Sequence, residues 1–179
     1  MVYISLLRGI NVGGKNKIKM EQIKTLYQEL GHTEVRSYIQ SGNLIFESSS
    51  TDTTHMAQEI KQGIKEHFDL DIESLVITRQ ELDTIHQDFP FKMEPLEQAS
   101  TLAVIFLSEV PTVDNVEILM SYVHTPEQFL AVGKYLYLYL PNGFSKTKLT
   151  NIFIEKKLKV VATTRNWKTV TKLQELSQT

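Results

Sequence analysis

The apolar residues in the first half of the chain alternate between continuous strand-like runs and stretches with helical spacing. The elements that this pattern predicts are a strand at 2–7, a helix at 20–30, strands at 35–39 and 44–46, a helix at 56–68 and a strand at 75–77. Gly31 follows the first helix as a C-terminal cap, and the polar turn 40–43 joins the middle strands into an antiparallel hairpin. The first half is therefore predicted to have a βαββαβ order.

The second half repeats this order after one additional helix. That helix opens with Thr78 and Glu81 in a capping-box pattern and ends before a linker that extends to about residue 98. The later predicted elements are a strand at 102–107, a helix with Pro111 in its first turn, strands at 129–132 and 135–140 joined by Gly133-Lys134, a helix capped by Ser145, a strand at 160–162 and a last helix from Trp167 with Asn166 as its expected N-cap.

Together these patterns predict an α+β fold of two ferredoxin-like (βαββαβ) halves, each with an antiparallel sheet covered by helices on one face, plus an extra C-terminal helix. The expected domains are residues 1–98 and residues 99–179, the second carrying the terminal helix. The strand 135–140 alternates leucine with tyrosine, so we expect the leucines to face the core. For the tyrosines, a half-buried sheet face or a subunit contact is favoured over ligand stacking.

Composition excludes several classes of protein. The chain has 179 residues, 41% of them hydrophobic, and no stretch of 18 apolar residues that would cross a membrane. It has no cysteine, which excludes disulfides, thiol nucleophiles and thiolate metal sites. The five histidines lack metal-ligand spacing, so no metal site is expected. Without a recognisable leader sequence, the predicted location is the cytoplasm.

Charge is unevenly distributed although the net charge is only −2. Residues 1–40 carry a net charge of +3, residues 41–140 a net charge of −11, and residues 141–179 a net charge of +6. If the two ends of the chain meet, they form one basic surface that attracts an anionic ligand. The alternative is that these cations are scattered over solvated helix faces.

The most unusual segment is the glycine-rich loop 8–17 between the first strand and the first helix. It has four residues between Gly9 and Gly14-Lys15, as in a phosphate-binding P-loop, but Asn16 stands where a serine or threonine would hold magnesium. A weaker role remains, in which backbone N–H groups and the loop's cations meet a small anion. The alternative is a long connection that uses glycines for positive φ.

Four motifs stand in order along the chain: Leu7-Arg8-Gly9-Ile10-Asn11-Val12-Gly13-Gly14 with Asn16, Tyr38-Ile39-Gln40-Ser41-Gly42-Asn43, Lys148-Leu149-Thr150, and Thr163-Thr164-Arg165-Asn166-Trp167. Together they closely resemble the bacterial family called domain of unknown function 1697. The resemblance extends from about Tyr3 to Leu176. It implies an α+β fold with ferredoxin-like elements in a cytosolic bacterial protein, and it implies no activity. Relatives often read Arg-Ser-Lys-Leu at 146–149, where this chain has Lys-Thr-Lys-Leu.

The leading functional hypothesis is the binding of a phosphorylated or otherwise anionic ligand, a nucleotide or nucleic acid. The candidate binding residues are Arg8, Gly9, Asn11, Gly13, Gly14, Lys15, Asn16, Ser41, Asn43, Lys148, Arg165 and Trp167. Their cations would meet the negative charge, and their amides and hydroxyls would supply directional hydrogen bonds. One alternative is a phosphoryl-transfer enzyme that uses the same loop, and another is a protein–protein interaction module that uses the tyrosine strand. The sequence identifies no catalytic residue and no cofactor, and it leaves the oligomeric state open.

Overall fold

The computed structural model describes residues 1–91 and 100–179. The chain forms two compact units, one of Met1–Ile85 with Leu173–Thr179 and one of His86–Lys172. The end of the expected linker and the expected domain boundary at 98/99 lie outside the described residues, so that boundary stays a prediction.

The first unit is a four-stranded antiparallel sheet with the strand order β2-β3-β1-β4. Its elements are β1 (Val2–Leu7), α1 (Met20–Glu29), β2 (Thr33–Tyr38), β3 (Asn43–Glu47), α2 (Thr53–Phe68), β4 (Ser74–Thr78) and α3 (Arg79–Gln87). This is the strand order of a ferredoxin-like fold. In this order α1 connects β1 to β2 and α2 connects β3 to β4, and neither pair of strands is adjacent in the sheet.

Alternation along the strands places one face of this sheet against α1 and α2. Tyr3 and Leu7 of β1 and Phe46 of β3 form a core with the apolar stripes of both helices, and each of these three side chains is fully buried. The helix stripes include Ile23 on α1 and Ile60 on α2. Burial of such side chains contributes about 1.5–3 kcal/mol each, so the sheet face and the helices hold each other in place.

The second unit repeats the arrangement with the strand order β6-β7-β5-β8. Its elements are β5 (Leu102–Leu107), α4 (Val113–Met120), β6 (Gln128–Val132), β7 (Tyr135–Tyr139), α5 (Asn151–Leu158), β8 (Ala162–Asn166) and α6 (Trp167–Ser177). Residues 173–177 of α6 are grouped with the first unit, where Gln174 donates a hydrogen bond of 2.9 Å to Asp83 of α3. The expected α+β fold with two ferredoxin-like sheets and a C-terminal helix is confirmed.

The leucines of the alternating strand face the core, as expected. Leu136 and Leu138 of β7 pack with the helices of the second unit and are almost fully buried. The tyrosines point to the opposite face, where Tyr137 is buried against the ring of Phe89 and Tyr135 and Tyr139 are half-buried. Tyr137 is therefore a packed residue within its unit.

Helix capping confirms two sequence predictions. Glu81 accepts a 2.9 Å hydrogen bond from the Thr78 backbone N–H, and the Glu81 N–H donates to the Thr78 hydroxyl, which forms the expected capping box. Asn166 accepts a 2.8 Å bond from the Thr169 N–H and caps α6. The side chains next to each helix start were sufficient to predict both caps.

The expected starts of α4 and α5 were wrong. Pro111 lies outside α4, whose N-cap is Thr112, and Thr150 rather than Ser145 caps α5. The reason for the second shift is that residues 140–146 form consecutive turns, in which the Gly143 N–H donates to the Leu140 carbonyl. Ser145 is thus part of a turn that a helix cannot include.

Candidate functional site

The glycine-rich loop 8–17 folds into a small hairpin of its own between β1 and α1. Val12 and Lys15 pair across a tight turn, and the Lys15 N–H donates to the Val12 carbonyl at 3.1 Å. The turn residues Gly13 and Gly14 have φ values of +57° and +77°. Two successive positive φ angles are typical of a type I′ turn, which explains the Gly-Gly pair.

Asn11 ties this hairpin to the rest of the first unit. Its side-chain amide donates to the carbonyls of Ile18 and Gln40, both at 2.9 Å, and its oxygen accepts from the Ile18 N–H at 3.0 Å. Nearby, the Asn16 amide donates to the Gly9 carbonyl at 3.0 Å. Both asparagines also have positive φ. Both N–H groups of the Asn11 side-chain amide are therefore engaged in shaping the loop.

The turn at residues 39–42 lies directly against the start of the loop. The Leu7 N–H donates to the Gly42 carbonyl at 2.8 Å, and a Cβ atom at Gly42 would lie only 2.7 Å from the Cβ of Leu7. Asn43 is fully buried, and its amide donates to the Tyr38 carbonyl and to the Ser41 hydroxyl. Ser41 and Asn43 thus hold the turn together, and glycine at 42 allows it to approach β1 closely.

An open pocket of about 610 Å³ lies beside the loop, the turn and the start of α1. The residues that line it are Asn11, Gly14, Lys17, Ile18, Lys19, Gln22 and Gln40. Lys19 is the N-cap of α1, and its side chain makes no capping hydrogen bond. The first N–H groups of a helix carry partial positive charge, so this end of α1 favours an anion.

The two lysines of the pocket have no carboxylate partner among the residues that the structure describes. Lys17 and Lys19 are both exposed. Elsewhere in the same unit, Lys24 pairs with Glu21 at 2.8 Å and Lys65 pairs with Asp69 at 2.7 Å. Lys17 and Lys19 therefore lack the ion pairs that Lys24 and Lys65 make, and Glu21, the acidic residue in the first turn of α1, is paired with Lys24.

The pocket contains only part of the predicted set. Asn11 and Gly14 line it, whereas the other predicted residues of the first unit shape the loop and turn around it. Those residues are Arg8, Gly9, Gly13, Lys15, Asn16, Ser41 and Asn43. The candidate list left out the other five lining residues, which are Lys17, Ile18, Lys19, Gln22 and Gln40, although Lys17 belongs to the predicted loop 8–17 and Gln40 to the predicted turn 40–43. A lysine at the N-cap position, where serine, threonine, aspartate or asparagine is preferred, was the available signal.

The remaining predicted residues belong to the second unit. Lys148 is exposed, and Trp167 is half-buried with its ring stacked 3.7 Å from the Phe89 ring. Arg165 lies in β8 with only 8% of its surface exposed, and its Nη1 donates to the Thr163 hydroxyl at 2.9 Å. Burial lowers the pKa of Arg165 to about 10. Arg165 is thus packed within its unit, while Lys148 is accessible to solvent.

Two four-stranded sheets with the same strand order define an α+β protein with two ferredoxin-like units. The profile of a protein family of unknown function, DUF1697, matches residues 1–137, and the chain belongs to this family. The family expected from the four motifs is thereby confirmed, although the last two motifs lie beyond the matched residues. None of the curated proteins compared with the chain matches it.

Among solved structures, the conserved bacterial protein SP0830 from Streptococcus pneumoniae is similar, with 23% sequence identity and a TM-score of 0.72. The match covers 98% of both chains. At this identity the likeness shows the fold alone. Among the helices of residues 1–91 and 100–179, none has the length and apolar character needed to cross a membrane.

Proposed function

We propose that this protein binds a phosphorylated or otherwise anionic ligand in the pocket beside the glycine-rich loop. The observation that carries the proposal is the pair of lysines, Lys17 and Lys19, which line a concave site without a carboxylate partner in the described part of the chain. Unpaired cations in a concavity attract anions more strongly than cations on a flat surface, because the surrounding protein excludes part of the screening water.

The uncapped start of α1 adds to the attraction. Its first N–H groups lie at the end of a ten-residue helix whose N-cap provides no side-chain acceptor. An anion at this end gains about 0.3–1 kcal/mol from the helix dipole at an exposed site. Two ammonium groups and a helix terminus thus act on the same ligand charge.

Isothermal titration calorimetry and heteronuclear NMR test this proposal with inorganic phosphate, ATP and a short single-stranded oligonucleotide as probes. We expect at least one probe to bind, with amide shifts concentrated at residues 11–22 and 40. The affinity should fall as salt is raised, since the contact is largely ionic. Lys17→Gln with Lys19→Gln should weaken binding at least tenfold.

The matched control is Lys156→Gln with Lys159→Gln, two exposed lysines of the second unit that give the same change in net charge. It should leave the affinity within about twofold. If both double variants lose affinity equally, binding follows net charge and the pocket proposal is wrong. If no probe binds at low salt, the proposal is also wrong.

The participation of Lys148, Arg165 and Trp167 stays a prediction with its own test. Lys148 is exposed, so Lys148→Gln should fold normally. If Lys148 contacts the ligand as the sequence predicts, this variant should weaken binding severalfold. An unchanged affinity would confine the site to the first unit.

A further inference from the structure

The pocket holds two glutamine side chains whose amides are available to a ligand. Gln22 lies in the first turn of α1 and Gln40 in the turn before β3, and both are exposed. Neither side chain has a hydrogen-bond partner among residues 1–91 and 100–179. By contrast, the third amide of the pocket, that of Asn11, is engaged with the Ile18 and Gln40 carbonyls.

Glutamine amides complement hydroxyl groups. Each amide offers two N–H donors and one carbonyl acceptor, and a hydroxyl is both a donor and an acceptor. Neighbouring hydroxyls of a sugar can therefore satisfy both functions of one amide. Lysine ammonium groups, which only donate, suit the phosphate instead.

The lining has no side chain suited to stacking a nucleobase. No aromatic residue is among the seven that line the pocket, and the one apolar member, Ile18, is only 5% exposed. Proteins that hold bases without a base-specific hydrogen-bond code rely on aromatic stacking. The size of about 610 Å³ nevertheless accommodates a small phosphorylated molecule.

From these contacts we infer that the ligand is a sugar phosphate or a similar hydroxylated phosphate monoester, recognised through its phosphate by Lys17 and Lys19 and through its hydroxyls by Gln22 and Gln40. This inference rests on the proposed anion binding and specifies its ligand class. The nucleoside part of a nucleotide contributes only its ribose hydroxyls at this site, and the base remains outside.

Calorimetry with four probes tests the inference on the full-length protein: ethyl phosphate, ribose 5-phosphate, free ribose and AMP. We expect ribose 5-phosphate to bind at least tenfold more tightly than ethyl phosphate, free ribose to bind far more weakly than both, and AMP to match ribose 5-phosphate within about threefold. Gln22→Leu with Gln40→Leu should abolish the advantage of ribose 5-phosphate over ethyl phosphate.

The control is Gln28→Leu with Gln80→Leu, which replaces two exposed glutamines of the same unit that lie outside the pocket lining. It should preserve the preference for ribose 5-phosphate. Equal affinity for ethyl phosphate and ribose 5-phosphate overturns the inference but leaves the proposed anion binding intact. AMP binding tenfold more tightly than ribose 5-phosphate overturns it too, because the base would then be recognised. Failure of all three phosphate-bearing probes overturns the inference, and it refutes the proposed anion binding as well if inorganic phosphate, ATP and the oligonucleotide also fail to bind.

Discussion

Gly42→Ala tests whether close packing of the turn against β1 determines the shape of the loop. An alanine Cβ would lie 2.7 Å from the Leu7 Cβ and 2.9 Å from a side-chain carbon of Ile10. Leu7 and Ile10 are fully buried, and Leu7 is paired with Ser74 of β4, so the Leu7 Cβ cannot retreat unless the strand moves. Overpacking of this kind costs about 1–3 kcal/mol.

The positive φ of +76° at Gly42 adds a second cost. An alanine in the left-handed region costs about 1–2 kcal/mol relative to ordinary backbone. The two effects together should lower the free energy of unfolding by about 2–5 kcal/mol. For a chain of this size, each kcal/mol corresponds to a decrease of about 2–4 °C in the Tm. Urea denaturation followed by circular dichroism measures the loss.

The matched control is Gly31→Ala. Gly31 has a similar φ of +85°, but nothing lies within 4 Å of the position of an added Cβ. This variant should show only the backbone cost, so the difference between the two variants isolates the steric clash. If the two lose the same free energy of unfolding within about 0.5 kcal/mol, the argument from close packing is refuted.

Three other changes test the first unit by denaturation. Glu81→Ala removes the side chain that accepts hydrogen bonds from Thr78 and should cost about 1 kcal/mol; a loss below about 0.3 kcal/mol would contradict the capping role. Tyr27→Phe removes a buried hydroxyl that donates to a serine on β1 at 2.7 Å and should cost about 0.5–1.5 kcal/mol, and an unchanged Tm would argue against this bond. Burial lowers the pKa of His32, so the folded state holds it neutral, and stability should fall as the pH drops below the unfolded pKa of about 6.5. His32→Phe should reduce the decrease in the free energy of unfolding between pH 7.5 and 5.5. If urea denaturation shows the same decrease in this variant, His32 is not the source of the pH dependence.

Sequence patterns were sufficient where one local rule determined the structure. Alternation along β7 identified the buried leucines, and the spacing of Thr78 and Glu81 identified a capping box. These predictions succeeded because strand pleat and capping geometry depend on residues two to four positions apart. The start of α5 was missed because several residues there can cap a helix, and the turns around Gly143 decide between them.

The sequence predicted only the part of the candidate site that depends on local backbone conformation. The glycines and asparagines of the loop indicate backbone conformations with positive φ, and the structure shows positive φ at these residues. Their roles were less evident, because Asn11 is engaged by Gln40, which is 29 residues away in the chain. Gln40 lay in the predicted turn 40–43 but was not singled out, and Gln22 had no distinguishing local pattern. Only folding brings them to one pocket.

The sequence by itself determined the order of strands and helices, the core face of β7 and the family of the chain, because periodicity and short motifs are local properties of a polypeptide. The tertiary structure decided which cations stay unpaired, where the pocket forms and which amides remain available within the described residues. Those features depend on contacts between distant segments, such as Asn11 with Gln40 and Leu7 with Gly42, and a linear pattern does not encode the distances between them.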